Sequence, residues 1–149
     1  MLHVTPHFIL LLLTVLMTRS GEAQDLYGFC RPEQIQFTRQ TYGAYNQNWS
    51  IAQHPHTRFM YFANSKGLLE YDGSTWHTYE LPRKQTVRSV AIDADGRIFT
   101  GALGEFGYWQ PGPDGKLTYL SLAPLVRDQS FRNEEIWNIL VTPQGVLFQ

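Results

Sequence analysis

Cysteine is almost absent: Cys30 is the only one in 149 residues. No intrachain disulfide can form, which excludes a small extracellular scaffold held by bridges. Charge of one sign is also missing. The net charge is -1, with acids and bases interspersed and no Lys or Arg run, so this stretch carries no electrostatic footprint for nucleic acid or an anionic membrane surface. Helical periodicity is nearly absent beyond the leader. With 43% hydrophobic, 14% aromatic and 17% charged residues, the chain has the composition of a globular rather than a disordered protein.

The one continuous apolar run, "FILLLLTVLM" (Phe8 to Met17), has the length of a secretory signal and is short for a membrane span. "GEA" before Gln24 supplies small residues three and one positions ahead of a cut, so residues 1–23 are expected to be a signal peptide cleaved after Ala23. The departure is an amino-terminal region with His3 and His7 but no Lys or Arg, which leaves an uncleaved anchor as the alternative. Lipidation of Cys30 needs a small residue before it, and Phe29 stands there; a half-buried thiol is the expectation. "NWS" (Asn48 to Ser50) matches a glycosylation acceptor, a pattern common by chance.

What is present after the leader is a series of short alternating apolar segments divided by turn residues, the pattern of an all-β chain. Four strand-length runs are expected between Trp49 and Leu81, with turns at Pro55, Lys66-Gly67 and Asp72-Gly73. The same order recurs at Arg88 to Ile92, Ile98 to Ala102, Glu105 to Gln110 and Leu117 to Leu122, and begins a third time at "WNILVTPQGVLFQ". Aligning Ser50, Ser89 and Asn138 gives steps of 39 and 49 residues. These bracket the roughly 40 to 50 residues of a four-stranded propeller blade and exceed the shorter solenoid repeats.

The fold expected is therefore an all-β propeller of about two and a half blades. Residues 24–45 form a lead-in, with "IQFTRQTYG" (Ile35 to Gly43) as a ring-closing outer strand. Blades are expected at about 46–85, 86–132 and, incomplete, 133–149. A propeller closes with at least about four blades, so an amino-terminal fragment of a longer protein is the expectation.

The segments "NQNWSIAQ", "FMYFANSKGLLEYDGSTWHTYELP", "VRSVAIDADGRIFTGALGEFGYW" and "NEEIWNI" resemble the periplasmic ligand-binding regions of two-component-regulator propeller proteins, the transcriptional regulators and hybrid histidine kinases of Bacteroidetes-type bacteria. The resemblance spans nearly all of residues 35–149 and rests on the order and spacing of the segments. It implies export to the periplasmic side of the inner membrane, a seven-bladed ring, and a downstream membrane helix followed by a kinase or helix-turn-helix output. It further implies a response to polysaccharide breakdown products and, for the full-length protein, a homodimer. Signal transmission would be a population shift between two packing arrangements.

Loops entering the innermost propeller strands converge on one end of the ring. Asn46, Gln47, Asn48 and Trp49, then Arg88, then Glu134, Glu135 and Trp137 fall at that position and are the expected ligand-binding residues. Amides, an arginine, acids and aromatics suit an oligosaccharide, since planar polar groups match hydroxyls and a ring face stacks on a pyranose. Trp49 and Trp137 also share a face with Ile51 and Ile139, which favours packing between blades over ligand contact.

A propeller glycosidase or lyase, or a scaffold without a small ligand, are the rival classes. A glycosidase needs two acids at a defined separation; Glu134 and Glu135 are adjacent and would point apart on a strand, Asp72, Asp93 and Asp95 sit in turns, and Glu105 has no local explanation. His54 and His56 lack nearby acidic or cysteine partners for a metal, and "ADG" and "DGK" lack the spacing of a calcium loop. No catalytic residue, metal ligand or cofactor is assigned, and this stretch is not expected to be an enzyme.

Overall fold

Alternating apolar residues between turn formers produce ten antiparallel strands among residues 34–149, the part of the chain described by the computed structural model. The leader with its cleavage position, and Cys30, lie outside the described residues. Strands β1 (Asn48–Gln53), β2 (Met60–Asn64), β3 (Gly67–Tyr71) and β4 (Trp76–Tyr79) form one sheet in chain order. β5 (Val87–Ile92), β6 (Ile98–Ala102), β7 (Glu105–Pro111) and β8 (Leu117–Ser121) form a second sheet in the same order. β9 (Ile139–Thr142) and β10 (Gly145–Phe148) pair as a hairpin. The all-β expectation holds, and the strand boundaries fall within a residue or two of those expected.

The turns form where their chemistry directs. Asp72 Oδ1 accepts the backbone N–H groups of Ser74 and Thr75, each at 2.7 Å, which closes the β3–β4 connection. In the second sheet Asp93 Oδ1 accepts the Arg97 N–H at 2.8 Å, and Gly96 N–H returns to the Asp93 carbonyl at 3.1 Å. Buried Asn64 closes the β2–β3 turn: its Oδ1 accepts the Lys66 N–H at 2.9 Å.

The repeat register is reproduced by the pairing. Ser50 faces Ala63 and Ser89 faces Gly101, while Asn138 exchanges two backbone hydrogen bonds of 2.9 Å with Gln149. Both complete sheets slip by one residue at the same place, between Asn48 and Ser50 and between Val87 and Ser89. An extra residue on one strand twists it locally and re-aims a side chain. The residues so placed are Trp49 and Arg88.

Side chains alternate across each strand, and the sheets pack on one another accordingly. Tyr61, Ala63 and Leu68 of the first sheet meet Ile98, Ala102 and Trp109 of the second in one core. The opposite face of the second sheet, through Phe106, meets Ile136 with Ile139 and Phe148 of the hairpin region in another. Fully burying a side chain such as Leu68 or Val87 contributes roughly 1.5–3 kcal/mol. Serines at equivalent positions each tie to the following repeat, though at different carbonyls: Ser50 Oγ donates to the Val90 carbonyl at 3.4 Å, and Ser89 Oγ to the Ile136 carbonyl at 2.8 Å.

The lead-in departs from the expected outer strand. Arg39–Tyr42 form one turn of α-helix (α1), ended by Gly43. Phe37 packs edge-on against Tyr71 and Trp76, with ring centroids 5.1 and 5.3 Å away, and Tyr42 lies 5.5 Å from Trp76. These ring contacts seat the lead-in on the open face of the first sheet while leaving Phe37 partly exposed.

Candidate functional site

Each repeat places one side chain at the start of its first strand: Trp49 and Arg88 as the second residues of β1 and β5, and Trp137 two residues ahead of β9. The structure brings these three together. The Arg88 guanidinium carbon lies 4.2 Å from the centroid of the Trp49 ring and 5.0 Å from that of Trp137. The two indoles meet edge to face with centroids 5.7 Å apart. Trp49 is further oriented by its Nε1–H, which donates to Ser65 Oγ at 3.2 Å. Contacts of a cation with an aromatic face contribute about 0.5–1 kcal/mol when exposed and about 2 when desolvated.

Glu135 completes the cluster. Arg88 Nη2 donates to its Oε1 at 2.9 Å, with side-chain exposures of 19% and 25%. The pair uses a single N–H···O contact. Arg88 Nε and Glu135 Oε2 are buried without a hydrogen-bond partner, where a paired fork would have engaged both. Glu135 is held by the β6–β7 turn, where Leu103 bridges to it and the Gly104 N–H donates to the Glu134 carbonyl at 2.9 Å. Glu134 itself is solvent-exposed, so the two adjacent acids diverge.

The two tryptophans are packed but only partly covered. Trp49 is 37% exposed and Trp137 50%. Both indoles nonetheless make contacts between repeats, on Arg88 and on each other, and the one-residue slip ahead of Ser50 takes Trp49 out of strict alternation with Ile51.

The amides are divided from this cluster. Asn64 Nδ2 donates to Asn48 Oδ1 at 2.7 Å and to the carbonyls of Tyr45 and Gln47 at 2.7 and 3.0 Å, which fixes the entry loop. Asn46 and Asn48 border a cavity of about 530 Å³ on the open face of the first sheet, walled by Phe62, Tyr71 and Trp76. Gln47 is exposed. The expected eight-residue mouth thus resolves into four residues in contact, Trp49, Arg88, Glu135 and Trp137, and four beside them.

The remaining acids have structural partners. Glu105 accepts hydrogen bonds from Tyr119 Oη at 2.9 Å and Ser121 Oγ at 2.6 Å, which supplies the explanation lacking in sequence. Glu70, buried between the sheets, was not singled out by sequence; Tyr61 Oη donates to it at 2.6 Å and Tyr79 Oη at 3.2 Å. Its parity with Leu68 in "GLLEY" was the available signal. Burial, reinforced by the nearby carboxylates, raises the phenols of Tyr61 and Tyr119 far above their ordinary range and pushes Tyr79 up to about 12. His54 Nδ1 accepts the N–H groups of His56 and Thr57, both at 3.2 Å, and His56 Nε2 lies 2.9 Å from the Ala94 carbonyl. No group of three or more metal-ligating side chains occurs among the described residues, and no helix there is long and apolar enough to cross a membrane.

No protein-family model matches the chain, and no curated protein matches it.

Proposed function

We propose that residues 46–149 are part of a larger β-propeller, the exported ligand-sensing region of a membrane-spanning signalling regulator, and that Trp49, Arg88, Glu135 and Trp137 contribute to a carbohydrate site on it. The observation that carries this reading is the convergence of equivalent positions from three successive repeats on one partly exposed cluster. Repeats arranged about a common axis bring one side chain each to a shared mouth, which is where propeller folds hold ligands. Exposed indole surface beside a matched donor and acceptor is the chemistry that receives a sugar: apolar C–H faces on the ring, hydroxyls on the polar pair.

The larger ring is supported by apolar faces left open on both outer surfaces of the stack. Leu140 and Leu147 of the hairpin are 62% and 60% exposed, and Ile51 of the first sheet is 57% exposed. In the register of the repeats, Leu147 occupies the place of Tyr61, which the first sheet buries against the second. Faces of this kind gain stability by stacking another sheet. Export to the periplasmic side rests on the leader, and a response to polysaccharide breakdown products on the family resemblance.

Two measurements test the reading. The coding sequence beyond Gln149 should continue with further repeats of about 40 to 50 residues, a membrane helix, and a kinase or helix-turn-helix region; a stop codon soon after this point rejects the sensor. Oligosaccharide titration followed by tryptophan fluorescence should show binding that Arg88→Ala weakens, and an unchanged affinity removes Arg88 from the site.

A further inference from the structure

Resting on the carbohydrate reading of this site, we infer that the sugar it takes is neutral and that the Arg88–Glu135 pair rejects a uronate. An acidic sugar is ordinarily held by an arginine whose charge is available to its carboxylate. Arg88 is not available in that way. Its guanidinium lies against two indoles, at 4.2 and 5.0 Å, and is already matched by Glu135 at 2.9 Å.

A ligand carboxylate at Arg88 meets three obstacles. At Nη2 it competes with Glu135 Oε1, and Glu135 Oε2 is buried with no hydrogen-bond partner to compensate for the loss. The carboxylate left behind is one-quarter exposed, so it loses its counter-charge without gaining full hydration. It also repels the incoming anion. A neutral hydroxyl meets none of these, since it is both donor and acceptor and binds the exposed part of an intact pair. Discrimination of this kind comes from the repulsive element rather than from extra attraction to the favoured ligand.

The experiment is calorimetry on the full chain with matched oligosaccharides differing only at C6. The pairs are α-1,4-galactotriose with the α-1,4-galacturonate trimer, β-1,4-mannotriose with the β-1,4-mannuronate trimer, and cellotriose with the β-1,4-glucuronate trimer. At least one neutral sugar should bind at least about tenfold more tightly than its uronate. Glu135→Gln should narrow or reverse that preference by freeing the arginine charge. Added salt should narrow it in the unmodified protein, because screening weakens the repulsion, and this arm stands even if the variant fails to fold. A uronate that binds as tightly as its neutral partner overturns the inference and leaves the carbohydrate site standing. A neutral preference unmoved by both salt and a folded Glu135→Gln removes the ion pair as its source and overturns it equally. Failure of all six sugars to bind overturns the carbohydrate reading beneath it.

Discussion

Arg88 stacks on Trp49 at 4.2 Å although 39 residues separate them, and the two hold the same place in successive sheets. The contact joins the end of one sheet to the end of the next. Glu135, a further 47 residues on, ties the same arginine to the third repeat. One side chain therefore links all three repeats at a single point.

That linkage should register in stability. Arg88→Ala leaves a largely buried carboxylate without its counter-charge and removes the stack between the indoles. The expected loss is about 1–3 kcal/mol, discounted from a fully buried pair for the partial exposure. A double-mutant cycle with Glu135→Gln in urea should give a coupling of about 1 kcal/mol. Coupling near zero would make the pair an ordinary surface contact.

Gly104 positions Glu135 through the backbone. Its φ is +56°, and a Cβ there would lie 2.1 Å from the Arg132 carbonyl oxygen. Gly104→Ala should cost upward of about 2 kcal/mol, combining left-handed strain with displacement of the Glu134–Glu135 segment. Gly115 also has a positive φ, +78°, but nothing within 4 Å of the added carbon. Gly115→Ala should cost only about 1–2 kcal/mol from strain. Thermal melts of the two variants distinguish the contributions, and equal losses would refute the steric argument.

The two leucine environments predict a second contrast. Leu68 has no exposed surface, and Leu68→Ala should destabilise the chain by about 2–5 kcal/mol through lost burial and a cavity. Leu140 is 62% exposed, so Leu140→Ala should fall within about 0.5 kcal/mol in this chain. Denaturant midpoints at constant slope provide the check.

Alkaline pH should unfold the protein by way of its buried phenols. Tyr79 titrates at 10.0 when unperturbed and at about 12 in the folded chain, chiefly through burial and then the Glu70 charge. Its folded form retains the proton that the unfolded form releases. The associated stability is complete below pH 10 and is lost as pH rises from there through about 12. Tyr61 and Tyr119 are raised further and act in the same direction. Absorbance of phenolate near 295 nm should show these three of the eight tyrosines ionising only with loss of the fold. Early ionisation of all eight at pH 10 would contradict their burial.

The strands and turns were legible because their causes are local. Short apolar runs divided by turn residues mark the strands, and Asp72 and Asp93 close their turns with side-chain hydrogen bonds reaching two to four residues along the chain. The lead-in was not legible for the same reason. Its alternation suits a strand, yet Phe37 finds Tyr71 and Trp76, whose open face is created by the sheet and not by the lead-in. Of the expected mouth, the choice of Trp49, Arg88 and Trp137 followed from equivalence in the repeat. Their contact, and the separation of Asn46 and Asn48 to the border of a cavity on the open face of the first sheet, did not.

Sequence alone determined that this chain is built of β-sheets, where its strands turn, and which residues recur in register, since periodicity and turn chemistry act over a few neighbours and repetition needs only counting. Tertiary structure decided what Arg88 touches. Its two indoles and its carboxylate arrive from 39, 49 and 47 residues away, and only the stacking of successive sheets sets those distances.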